Sequence, residues 1–181
     1  MAHEIDPRHP IRSYFSEALH RSLHEELGLP ETADVDAYIV NMLVNFLSWD
    51  GVYAVRDATG KRVRTVAGML MEGDVRINAE SFGREREVHR HIGDYLLFCS
   101  GMFPEFLQQI KDLSSPDAML DVPGQARYSY HVVSTFDHPP YDAEAPIFRR
   151  LSAEFEAYQA GLQRIRSKFD GLGPWVVGFS A

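Results

Sequence analysis

A chain of 181 residues fits around one hydrophobic core, and its 45% apolar and 12% aromatic content supplies that core without a disulfide or metal staple. Its single cysteine, Cys99, cannot form an internal disulfide. A formal net charge of −8 repels phosphate backbones, and the basic groups Lys61, Arg62 and Arg64, and Arg164 and Arg166, are short and flanked by acids, which argues against nucleic acid as a partner.

The first residues hold neither a basic n-region nor an apolar h-region, so with one cysteine the expected location is cytoplasmic. No stretch reaches the roughly 20 apolar residues of a membrane span. The longest apolar-rich run, 38–49, is broken by Asn41, Asn45 and Ser48.

A first helix is expected over 10–27, opened by Pro10 and closed at Gly28, with Ile11, Phe15, Ala18, Leu19, Leu23 and Leu27 on one face. A second starts near Thr32 or Asp34 and runs to about residue 49. Its apolar residues Tyr38, Ile39, Val40, Met42, Leu43, Val44, Phe46 and Leu47 lie almost all round, which predicts the central helix of the fold.

Val63, Val66, Ala67, Leu70 and Met71 give a shorter third stripe that ends near Glu72 and Gly73. The segment 82–100 reads as a helix with Val88, Ile92, Tyr95, Leu96 and Cys99 inward, and with Arg84, Glu85, Arg86, Glu87 and Arg90 solvated. Gly101 and Pro104 interrupt it before a short helix ending near 113. Tyr128, Tyr130, Val132 and Phe136 alternate as in a strand, but no second strand exists to pair with them, so 128–136 is expected to be helical.

The last segment carries Phe148, Leu151, Phe155, Tyr158, Leu162, Ile165 and Phe169 in steps of three and four, a heptad seam about 33 Å long. After it, 170–181 holds Trp175, Val176, Val177 and Phe179, apolar enough to dock on the domain or on a neighbouring chain. The expected architecture is an all-α single domain over 1–169, a bundle of about five to seven helices with a long C-terminal helix.

Eight histidines raise the question of a metal, which geometry decides. His20 and His24 share a helix face, with Glu17 three residues before His20. Glu-x-x-His on an inward face is half of a carboxylate-bridged two-metal site, but no second copy occurs in the chain. Glu85 with His89, and Glu87 with His91, sit four apart, and Asp94 follows on the same helix, while His89 and His91 point about 200° away from each other. A core role or surface pairing is the simpler account of these histidines, and metal or haem ligation is the alternative.

Asn41 and Asn45 share a face of the most apolar helix, where they either bond to a neighbouring helix or line a small-ligand pocket. Tyr128 and His131, close to Gly124 and Arg127, form a second candidate ligand cluster, for which amphipathic packing is the simpler account. Cys99 lies among apolar residues that raise a thiol pKa. No nucleophile elbow, P-loop or dinucleotide fingerprint is present, and Gly171 and Gly173 lack the third glycine of the last.

The stretches 84–98 (REREVHRHIGDYLLF), 101–105 (GMFPE) and 148–158 (FRRLSAEFEAY) resemble segments of uncharacterised bacterial all-helical proteins. The resemblance implies the helical fold and no activity. The sequence thus suggests a non-catalytic interaction module, a homo-oligomer or the partner of another protein. The alternative is a helical-bundle enzyme or sensor holding metal, haem or a small ligand, with no cofactor identified.

Overall fold

The computed structural model describes residues 10–111 and 114–169, leaving aside the side chains at 104, 106, 109 and 169. The protein is all-α, as its periodicity predicts. Among the described residues no strand forms, and one isolated bridge joins Arg56 to Arg62. No described helix is long and apolar enough to cross a membrane. The apolar tail expected to dock, 170–181, lies outside the described residues.

The first helix, α1 (Pro10–His20), continues as a π-helical turn over Arg21–Glu26, where Leu27 N–H reaches back to Ser22 at 3.2 Å. The extra residue in this turn rotates the chain, so Ser22 faces inward and donates to the Gly161 carbonyl at 2.8 Å. Next comes α2 (Ala33–Asn45), followed by a single turn, α3 (Trp49–Val52), that the sequence pattern does not announce. In α2 the positions Asp34, Ala37, Asn41 and Asn45 form an exposed stripe, so this helix has one wet face.

The central helix is therefore not α2. It is α5 (Phe82–Met102), which packs against α4 (Val66–Gly73), α6 (Pro104–Ile110), α7 (Val122–Ser134) and α9 (Phe155–Phe169). Every residue from Ile92 to Met102 is buried. Its polar residues are drawn into the core as well: Arg86, expected in solvent, is 3% exposed.

Local caps set the boundaries. Ser81, Thr65 and Asp121 accept the N–H groups of Arg84, Gly68 and Gly124 at the starts of α5, α4 and α7. Asp117 accepts Val66 and Ala67 N–H, both at 2.9 Å, and so holds the start of α4 from fifty residues away. The segment 128–136 belongs mostly to α7, whose Asp121 cap and Pro123 start it earlier than its apolar pattern does.

The heptad seam is divided. Helix α8 (Ala145–Ala153) ends at Glu154, whose backbone leaves helical geometry, and α9 starts one residue later. Arg150 Nε donates to Glu154 Oε2 at 3.1 Å and to Tyr158 Oη at 3.2 Å, bridging the break. Phe148, Leu151, Phe155, Tyr158, Leu162 and Ile165 all remain buried, so the seam survives as a packing surface while the single long helix does not form. These side chains join one continuous core around α5.

Candidate functional site

Asp94 is the most heavily engaged polar group of the core. Tyr38 on α2 donates to both of its carboxylate oxygens at 2.8 Å, and Tyr130 on α7 donates to Oδ1 at 2.9 Å. Phe148 on α8 covers the two phenols, with ring centroids 5.1 Å from Tyr38 and 5.9 Å from Tyr130. Burial pushes the Asp94 carboxyl up to about 6, against the downward pull of Tyr38, Arg90 and Tyr130. Burial, together with the Asp94 charge, also raises both phenols, so they stay protonated and donate. The network is a hydrogen-bonded clamp joining α2, α5 and α7.

Two turns earlier on α5, Arg86 lies 4.0 Å from the Tyr141 ring centroid and 5.7 Å from that of Phe148. Its guanidinium donates to Glu144 at 2.5 Å. A buried arginine of this kind is held by stacking and by one carboxylate, while its Nε has no hydrogen-bond partner among the described residues.

The expected metal sets do not assemble. Among the described residues no three His, Cys, Asp or Glu side chains converge to hold a metal ion. His89 turns to α7, where Gln125 donates to Ser129 Oγ at 3.1 Å and Ser129 sits 3.2 Å from His89 Nδ1. His91 turns the other way, with Nε2 at 3.1 Å from the Val52 carbonyl and its ring against Phe46 and Tyr95. Burial lowers both imidazoles, His91 to about 4. Glu85 stays half-buried at the start of α5, apart from the Asp94 clamp.

On the first helix, Glu17 and His20 are exposed, and the His20 and His24 rings lie 5.2 Å apart. Both His24 nitrogens face acceptors, the Leu29 carbonyl at 2.9 Å and Asp36 Oδ2 at 2.8 Å. Burial opposes charge on this ring, but those two acceptors outweigh it and raise the pKa. With both ring nitrogens taken up by acceptors of the protein itself, neither is turned to a metal.

Asn41 and Asn45 are exposed, a correction to their expected place on a buried face. Asn41 accepts a hydrogen bond from Arg12 Nη1 across α1 and α2. It lines an open groove of about 620 Å³ together with Arg12, Ser13, Ser16, Glu17 and Asp36, floored by Ala33, Ala37 and Val40. Arg12 Nε and Asp36 Oδ1 are themselves buried out of reach of the groove, without a partner among the described residues. Tyr128 is 56% exposed and meets His89 edge-on at 5.8 Å, His131 is also exposed, and neither lines the groove that Asn41 borders.

Sequence reasoning missed Arg86, Tyr38, Tyr130, Arg12 and Asp36. One signal was present: Gly93 inside a strong helix marks a close approach, and a Cβ there would lie 2.6 Å from Tyr130 Cε1. Compared with known proteins, the chain matches no family model, no curated protein and no solved structure.

Proposed function

We propose that this chain is a non-catalytic helical interaction module that associates with a second copy of itself through the connection between α4 and α5. The observation that carries this reading is a concentration of exposed large apolar side chains there: Met71 at 51%, Val75 at 37%, Ile77 at 57% and Phe82 at 69%. Tyr128 on α7 adds to it, since its ring contacts His89 and it lies within electrostatic range of Arg76. Scattered apolar residues are ordinary on a surface, but a group of this kind is disfavoured in water unless something covers it.

A second copy suits the rim of this patch. Arg76 and Arg84 stand among Glu72, Glu80 and Glu85, so a two-fold arrangement can oppose unlike charges around an apolar centre. Hydrogen exchange at low and high protein concentration tests the reading. The amides of residues 71–82 should gain protection as concentration rises. Exchange that is independent of concentration throughout that segment contradicts it.

A further inference from the structure

We infer that His24 is a proton-held latch: as an imidazolium it ties the connection over 27–32 to α2, and loss of a proton as pH rises releases one of its two bonds. This device is separate from the self-association surface and does not depend on it. The geometry asks one ring for two donors. Nδ1 lies 2.9 Å from the Leu29 carbonyl, which can only accept, and Nε2 lies 2.8 Å from Asp36 Oδ2. A neutral imidazole has a single N–H, so it would set a lone pair against one of these oxygens. A proton shared with the carboxylate resolves this, and an ordinary imidazole holds that proton more tightly than an ordinary carboxyl. The His24 side chain is 6% exposed, so water has little access to fill a contact that the ring gives up.

The latch stands where other ties are few. Thr32 turns its hydroxyl to the Pro30 carbonyl at 3.2 Å and gives α2 no side-chain cap. Pro30 has no N–H to donate. The backbone bond nearest the latch runs from Leu29 N–H to the Leu23 carbonyl at 2.9 Å. His24 therefore joins the π-helical turn, the connection and α2 through one ring.

The charges around the ring favour its charged form. Burial opposes it, but the Leu29 carbonyl, Asp36 and Glu31 raise the pKa above the ordinary 6.5. One turn earlier, the His20 ring lies 5.2 Å away, and a positive charge there would oppose the latch; Glu25 lies 3.9 Å from His20 and offsets it. Glu26 faces α9 instead, where it pairs with Arg164 and Lys168. Tyr158 of α9 lies within electrostatic range of Asp36 and accepts from Arg150 Nε at 3.2 Å. With the pKa raised, the native state holds the extra proton above pH 6.5. The latch is complete below that value and opens as pH climbs through the raised pKa.

The test is an NMR pH titration of the full chain that reads the His24 ring nitrogens and amide hydrogen exchange together. His24 should carry two N–H groups below a pKa that lies above 6.5, and one beyond it. The Leu29 and Asp36 amides, hydrogen-bonded at 2.9 and 3.0 Å, should lose protection at least about tenfold across that step, or about 1.4 kcal/mol. Asp36→Asn should weaken proton binding by His24 to a similar degree. His24→Gln should remove the step in exchange while the fold and the other histidines stay as they are. A His24 that titrates at or below 6.5, that carries a single N–H throughout, or that keeps its proton affinity in Asp36→Asn overturns the assignment. So does a step in exchange that is absent from the folded chain or survives His24→Gln.

Discussion

Tyr130 donates its phenolic proton to Asp94 over 2.9 Å, and its ring lies so near α5 that position 93 has room only for glycine. Asp94 also serves Tyr38, so one carboxylate holds two helices against a third. Removing the acceptor strands two donors at once. Asp94→Ala should destabilise the fold by about 2–6 kcal/mol, since each of the two stranded groups costs roughly 1–3 kcal/mol. Tyr130→Phe, which keeps the ring, should cost about 1.5–3 kcal/mol, the value of a hydrogen bond to a charged group. Denaturant unfolding measures both, and losses below about 0.5 kcal/mol, the usual effect of a surface substitution, would show that the clamp is idle.

Gly93→Ala sets two effects against each other. Alanine favours a helix by about 1 kcal/mol over glycine. A Cβ at 2.6 Å from a fully buried ring has nowhere to go, because Tyr130 is held by Asp94 and backed by Phe148. Overpacking of this type costs about 1–3 kcal/mol, so the net change should be a loss, and a lower thermal midpoint is the expected reading. A raised midpoint would mean that the ring moves away freely.

Two buried groups on α5 give opposite pH dependence. The Asp94 carboxyl is raised from 3.8 to about 6, so between those values the native state binds the extra proton and stability falls as pH rises. His91 is lowered from 6.5 to about 4, so between those values the unfolded state binds the extra proton and stability falls as pH drops. Each effect is worth about 3 kcal/mol at full extent, and they offset each other between about pH 4 and 6. Asp94→Asn should uncover the histidine slope, with stability dropping on acidification from pH 6.5. His91→Asn should weaken that slope and favour the aspartate's. Unfolding free energies across this range check the pair; slopes that both variants leave unchanged would contradict the assignment.

Arg86 should resist conservative replacement. A lysine keeps the charge near Glu144 but loses the planar face that lies 4.0 Å from the Tyr141 ring. Arg86→Lys should cost about 1–2 kcal/mol, the scale of a desolvated cation–π contact. Tyr141→Leu should cost less in the Arg86→Lys background than in the wild type. Independent, additive losses would remove the stack as the cause.

Apolar spacing announced the helical class, the seam from Phe148 to Ile165 and the helix that became α5, because these depend on three- and four-residue periodicity. The central place predicted for α2 fails because its exposed stripe is made of Asp34, Ala37, Asn41 and Asn45, which stand out little among so many apolar neighbours. The break at Glu154 and the π-turn after His20 preserve the apolar pattern while altering the backbone, so periodicity passes over both. The clamp was only partly legible. Asp94 appeared among metal candidates by sequence proximity to His89 and His91, but its partners Tyr38 and Tyr130 come from helices whose relative placement no local pattern encodes.

Sedimentation equilibrium of the wild type beside Ile77→Asp tests the central claim most directly, because Ile77 is 57% exposed and its replacement leaves the core untouched. The account predicts a mass that approaches twice 20.6 kDa as wild-type concentration rises, and a variant that stays at the monomer mass. A wild type that remains monomeric over the whole range, or a variant that associates as the wild type does, would contradict it.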